Sequence, residues 1–463
     1  MVFGRGRMYL TISLLIAIPS FIIGCGGGGA RRVEQSLGKD MPGWSIKAHV
    51  VSPDYKRVAS IAVHSGNWYL VVDGDISSSL GDDQFEGLKD PVFSPDSRKL
   101  AYAGKRNGKW MVILVGSAKK VLGPYDDVGL ITFSPNSSRM AFKAKKGGKW
   151  VVVVDGVEEK GAYEDIKAIV FSPDSKRLAY AVQSGKEFVV LDGVLGKGHD
   201  RVRSLTFSPD SRRFAYVGTW FDFLGRQRSY IVMDGVESDS QYDEIRSVAF
   251  SPDSKRFAFI ARMEGKEMVV VDGKEGKGYN AVRDLLFSPD SRSVAYCARE
   301  GGKWFVVLDG KEGKAYDYIL EGSLTFSPDS SKIAYAADKD GMSFIIDGEK
   351  ENGPYENAAY PMYSPDSKRF VYIVGSGPWW SVVLDGRGRG RYMDIKALTF
   401  SPDSKHLAYI GKIGDRKVVI MDGKEVGDYD DILGSSWLAF DESNSLCFIA
   451  RRSGETLKVS IRP

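Results

Sequence analysis

Cysteine and histidine are scarce in this chain, with three Cys and four His among 463 residues. The histidines, His49, His64, His199 and His406, stand far apart without metal-ligand spacing or Cys partners, so no zinc-type centre is marked. No Gly-x-Ser-x-Gly elbow is present to carry a serine nucleophile. The many Asp residues do not alternate with further oxygen ligands as a calcium loop requires. Charge of one sign is lacking too: 64 Lys and Arg against 60 Asp and Glu leave +4, which gives no ground for a nucleic-acid partner. The apolar run Tyr9–Ile23 is 15 residues long and broken by Pro19. That is short of the roughly 20 residues a spanning helix needs. These absences predict a non-enzymatic protein with no cofactor and no metal.

What is present begins at the N-terminus. Arg5 and Arg7 precede the apolar run, and Ile22-Ile23-Gly24-Cys25 closes it, the pattern of a secretory leader. Aliphatic-aliphatic-Gly-Cys resembles the bacterial lipobox, which implies cleavage before Cys25 and a diacylglycerol on its thiol. Residues 1–24 are then a signal peptide, and 25–31 are a lipidated Cys with a tether loosened by Gly26 to Gly29. Residues 32–463 are the folded array, and the mature chain carries +2 once Arg5 and Arg7 are lost. Gly26 in place of Asp resembles lipoproteins of two-membraned cells that proceed to the outer membrane. The expected location is extracytoplasmic, lipid-anchored at the cell membrane or outer membrane, touching the bilayer through the anchor alone. Cys297 and Cys447 sit at non-equivalent points of distant repeats, so no disulfide is expected, and Cys447 replaces a small core Ala (Ala179, Ala295, Ala408).

The main signal is an internal repeat. Ser-Pro-Asp/Asn-x begins at Ser52, Ser94, Ser134, Ser172, Ser208, Ser251, Ser288, Ser327, Ser364 and Ser401, at intervals of 36 to 43 residues, and Asp441-Glu442-Ser443 is an eroded eleventh copy. In one copy, Ile166–Phe171 is a β-rich run and Ser172-Pro173-Asp174-Ser175 is a turn. Leu178–Val182 and Phe188–Leu191 are further strands, Asp192-Gly193 is a hairpin signal, and a polar fourth strand follows. The 52 Gly suit so many tight turns. Strands apolar on both faces need cover on both, which stacking around an axis provides. The fold class is all-β: a β-propeller of about eleven four-stranded antiparallel blades, as one large ring or two consecutive rings. The last copy stops after three strands, and Val33-Glu34-Gln35 parallels Val236-Glu237-Ser238 at the start of a fourth. Residues 32–39 are therefore predicted to complete the last blade.

The stretch Phe-Ser-Pro-Asp-Ser-[Lys/Arg]-[Lys/Arg]-[Leu/Phe]-Ala-[Tyr/Phe] stands at Phe171–Tyr180, Phe207–Tyr216, Phe250–Phe259 and, altered, Phe400–Tyr409. It resembles the WD-like, TolB-type propeller repeat over about residues 44–463. The chain lacks the separate α/β domain of TolB and the peptidase domain that other such propellers precede. The resemblance implies a propeller used as an interaction platform, with a protein or peptide partner in the cell envelope.

Two repeated features are candidates for binding. A cation stands four places before the end of each first strand in seven copies: Lys47, Lys89, Lys167, Arg203, Arg246, Arg283 and Lys396. Upstream lies an aromatic, often followed by an acid, with Tyr163, Tyr242 and Tyr316 as examples. On an innermost strand these groups ring one mouth of the channel and grip a peptide or anion; the alternative is pairing and packing between blades. Trp68, Trp110, Trp150, Trp304 and Trp380 form a second set on the same side, suited to a cell-wall or carbohydrate ligand or to covering a neighbouring blade. Arg387, Arg389 and Arg391 make a basic hairpin loop on the opposite side.

Overall fold

The computed structural model describes residues 21–23, 31–40, 42–75, 84–434 and 438–463. These contain strands and turns and no helix. The strands form eleven antiparallel sheets, each a blade. Blades 1 to 10 occupy 45–85, 87–125, 127–163, 165–199, 201–242, 244–279, 281–316, 318–355, 357–392 and 394–429. Blade 11 joins 431–462 to the N-terminal strand Arg31–Lys39. Blade 4 shows the pattern, with Asp165–Phe171, Leu178–Ser184, Lys186–Leu191 and Val194–Leu195 paired in order. First strands of neighbouring blades approach one another, which places them innermost.

The Ser-Pro-Asp-Ser turn joins first strand to second, and its residue types follow from its hydrogen bonds. Buried Ser172 Oγ donates to Asp174 Oδ1 at 2.6 Å and accepts the Arg177 N–H at 2.9 Å. Asp174 Oδ1 also accepts the Lys176 N–H. Ser175 takes a positive φ of 67°, and its hydroxyl accepts the Asn136 N–H of the blade before. The same inter-blade bond recurs from Asp54 N–H to Ser97 and onward to Asp403 N–H on Asn444, linking blades 1 to 11 in an unbroken series. Arg177 adds a second latch. Its Nε donates to Asp192 of its own Asp-Gly turn, its Nη1 to Ser211 and Arg212 carbonyls of blade 5, and its guanidinium covers the Phe207 ring.

The apolar core is divided among the blade interfaces, and every interface has its own cluster. Ala59, Ile61, Leu88 and Leu100 join blades 1 and 2, and the series continues to Ile410, Val419, Phe448 and Val459 between blades 10 and 11. Val51 and Val58 of blade 1 then pack on Leu37, Leu433 and Ile449 of blade 11. Eleven blades with a cluster closing the eleventh on the first make one ring, which decides between the two arrangements left open by the repeat count.

Closure uses the predicted strand. Arg31–Lys39 pairs antiparallel with Glu455–Arg462, with Glu34 opposite Val459. Glu34 is 9% exposed, receives Arg452 through both Nη atoms, and accepts the Tyr429 hydroxyl at 2.9 Å. Glu237, its counterpart by sequence, accepts His199 Nε2 in the same way. Gly38 has φ +123°, and a Cβ there would lie 2.7 Å from the Gly74 Cα, so the clasp meets blade 1 where only glycine fits. Phe21–Ile23 pairs with Arg32–Glu34 on the clasp's outer edge. An edge strand offers unpaired N–H and C=O groups, and a short β-prone segment close in sequence fills them. Cys25 and Gly26 to Gly29 lie outside the described residues.

Candidate functional site

The seven sequence-selected cations do lie on first strands, but they divide into two groups. Lys89 Nζ bonds Asp127 of the next blade at 2.6 Å and sits 4.3 Å from the Trp110 ring centre. Arg246 reaches Glu267 and the Val282 carbonyl of blade 7. Arg283 lies 4.0 Å over Trp304 and 4.9 Å over Tyr318 and donates to the Ile319 carbonyl of blade 8. These three fasten one blade to the next. Lys47, Lys167, Arg203 and Lys396 are exposed, with Lys167 3.7 Å from Asp165 and Lys396 3.3 Å from Asp394. Lys47 and Arg203 have no ion-pair partner among the described residues. Where blade 3 carries Gly129, Lys143 from the adjoining strand takes over, reaching Asp165 beside the Trp150 ring.

The tyrosines stand elsewhere than on an open rim. Tyr242 and Tyr316 are 2% and 1% exposed, Tyr163 is half-buried, and all three belong to inter-blade clusters. Tyr242 and Tyr316 hydroxyls donate to Glu275 and Glu351 of the following blade. Burial pushes the Tyr242 phenol up to about 12, with its bond to Glu275 adding to the shift. The acids after them cap hairpins: Glu164 Oε2 accepts the Gly185 N–H, Asp243 Oδ2 the Glu264 N–H and Asp317 Oδ2 the Asp340 N–H. A Tyr at the end of an apolar, blade-spanning strand is drawn inward because its ring has a neighbouring blade to cover and its hydroxyl a carboxylate to reach. The Trp set is likewise engaged, since cations lie over Trp110, Trp150 and Trp304.

The feature of this face that stands clear of the repeat belongs to blade 5. Phe214–Phe221 and Gln227–Met233 are joined by a five-residue loop, longer than the one- or two-residue turns that join second to third strands elsewhere among the described residues, such as Gly147-Gly148. Asp222 organises it: Oδ1 accepts the Leu224 and Arg226 N–H groups and Oδ2 the Arg226 Nε at 2.9 Å. The N–H bonds from Arg226 and Leu224 and the Arg226 guanidinium hold the Asp222 carboxyl below the ordinary range. The loop so fixed presents Phe223 and Leu224 to solvent, 93% and 61% exposed. Beside it a cleft of about 470 Å³ opens between blades 5 and 6, lined by Arg226, Arg228, Asp243, Arg262, Glu267 and Asn280 among others. Arg228 pairs with Asp243 at 2.6 Å and Arg262 with Glu244 at 3.5 Å. Repeat-averaged reasoning passed over this loop; its trace is the 43-residue interval from Ser208 to Ser251, the longest of the series.

No metal-ligating group of three or more His, Cys, Asp or Glu occurs among the described residues. Cys297 and Cys447 are unpaired and buried. No protein-family model matches the sequence, and none of the curated proteins does. Among solved structures, a eukaryotic initiation factor is similar over 74% of this chain and 94% of its own, at 14% identity and TM-score 0.40. The propeller domain of the Trilobed protease from Pyrococcus furiosus matches over 58% of this chain and 98% of its own, at 15% identity and TM-score 0.30. TolB from Acinetobacter baumannii matches over 60% and 66%, at 16% identity and TM-score 0.22. The chain is a β-propeller with TolB and other propellers among its structural neighbours.

Proposed function

We propose that this protein is a non-enzymatic binding platform, lipid-anchored through Cys25 in the cell envelope, and that it captures a protein or peptide partner on the face where the first strands begin. The observation that carries the reading is the blade 5 loop. Asp222 spends its hydrogen bonds on holding two large apolar side chains, Phe223 and Leu224, in water. Nothing in the ring requires that arrangement, and rigid apolar anchors beside polar groups are what a partner's pocket takes up. Arg203 and the charged cleft between blades 5 and 6 lie on the same face and supply a polar rim.

The test is capture from crosslinked envelope with Phe223→Ser/Leu224→Ser. Stoichiometric protein partners recovered by the natural chain should fall by about 30-fold, as loss of a central anchor gives, with the melting temperature unchanged. Undiminished recovery would remove the loop from the binding face. Recovery of glycan alone would replace the protein partner by a carbohydrate one.

A further inference from the structure

The ring has one interface built unlike the other ten. Where blade 11 meets blade 1, Ser445 stands in place of the latching Arg, as Ser293 does in blade 7, Val51 stands in place of the Phe it covers, and here alone the bridging Ser is replaced by an aromatic residue, Tyr55. Both latches are therefore missing there. The space they leave is a cleft of about 380 Å³ lined by Arg31, Lys56, Lys458 and Arg462, with Asp441 as its single acid. None of these four cations has an ion-pair partner among the described residues, unlike most of the basic side chains around the ring. Asp441 Oδ1 accepts the Ser443 N–H, the Ser443 hydroxyl and the Ser445 N–H, and its single negative charge leaves the cleft with an excess of three positive charges. Four unpaired cations held apart in one cleft keep a repulsion that an anion of their own size relieves.

We propose that the seam cleft binds the phosphate of an anionic phospholipid, and so lays the face bearing the Ser-Pro-Asp turns against the bilayer. Two placements select a lipid as the source of the phosphate. Arg31 lines the cleft and is the first residue of the closing strand. Cys25 is six residues ahead of it, within about 20 Å of chain, so an acylated Cys25 delivers the bilayer surface to this part of the ring. The same face carries exposed cations beyond the cleft, among them Arg212, Lys255, Arg292 and Lys368. The inference rests on the anchored reading, replaces the anchor-only contact expected from the sequence by anchor and cleft together, and leaves the opposite face, with Phe223 and Leu224, free for a partner.

The test uses the protein as purified with its own N-terminal processing, floated with vesicles of phosphatidylcholine alone or of phosphatidylcholine and phosphatidylglycerol in equal amounts. Partition onto phosphatidylcholine alone reports the anchor, and the increment from phosphatidylglycerol reports the cleft. Lys56→Ala/Lys458→Ala should lower that increment about 20-fold, and Arg462→Ala at the chain's end about fivefold. Arg212→Ala/Lys255→Ala removes as much charge from the same face at residues already beside Asp210 and Asp253, and should change it by less than about twofold. An equal loss in this control pair, or no increment in the natural chain, overturns the site. Binding of inorganic phosphate that depends on Lys56 and Lys458, without any phosphatidylglycerol increment, overturns the lipid source.

Discussion

At the residue scale, the repeat's polar positions are inter-blade and intra-turn fasteners, and this fixes how each should respond to change. Arg283 lies over the Trp304 and Tyr318 rings and donates to the next blade, whereas Arg203 is exposed and unpaired. Arg283→Ala should therefore cost about 1–3 kcal/mol in chemical denaturation, while Arg203→Ala leaves stability unchanged. The turn aspartates give a second expectation. Ser327 donating its hydroxyl to Asp329, with the Ser331 N–H and hydroxyl, holds that carboxyl at about 2, and Asp174, Asp210, Asp253, Asp290, Asp366 and Asp403 are lowered by the same Ser bond. A carboxyl depressed in the folded state contributes stability that is fully present above its unfolded value near 4 and is lost as pH falls from there toward 2. Melting temperature should decline across that window. Blade 3 shows how to blunt the decline: Asn136 Oδ1 accepts the Ser134 hydroxyl and the Ser138 N–H as an Asp would, without a proton to gain. Asp174→Asn and Asp329→Asn together should flatten the acid limb of a melting-temperature profile, and an unaltered slope would detach these turns from it.

At the scale of the element, the closing strand depends on few groups. Glu34 is buried and joined to Arg452 and Tyr429, while Arg452 is 31% exposed. Discounting for that exposure, Glu34→Ala should cost about 2–3 kcal/mol, with faster amide exchange in Val33–Leu37 as its local signature. Much of this was legible before the fold was known. Val33-Glu34-Gln35 copies the opening of a fourth strand, and a three-stranded last blade needs one. The strand count and the turn chemistry were legible for the same reason, since a motif repeated ten times averages away local accidents. What the repeat hid was direction. A cation on an innermost strand reads alike whether it faces the channel or the next blade, yet Lys89 is in register with Ala103 and reaches Asp127, whereas Lys47 falls at the bulge between Ile46 and Ala48. A Tyr at a strand end likewise does not announce whether its ring turns outward or covers a neighbour. The blade 5 loop and the seam are departures from the motif, and reading for agreement among copies passes over both.

At the scale of the whole molecule, eleven similar interfaces close on themselves through one that is weaker. Stability of a repeat array is to a first approximation a sum of nearest-neighbour interfaces. In a closed ring, opening any interface exposes two blade faces without freeing a blade, so fluctuation concentrates where the interface is poorest. Blades 11 and 1 lack the Arg latch and the bridging Ser and are held by Val51, Val58, Leu433 and Ile449 with the clasp residue Leu37. Leu37→Lys places a cation inside this apolar cluster, between the closing strand and blade 1. Hydrogen exchange of that variant should show protection falling most in blades 11 and 1, less in blades 10 and 2, and least in blades 5 and 6 on the far side of the ring. The gradient follows because each further blade requires another apolar cluster to separate. A uniform loss of protection around all eleven blades would mean that the ring opens as a single unit, and the seam would then have no special part in its dynamics.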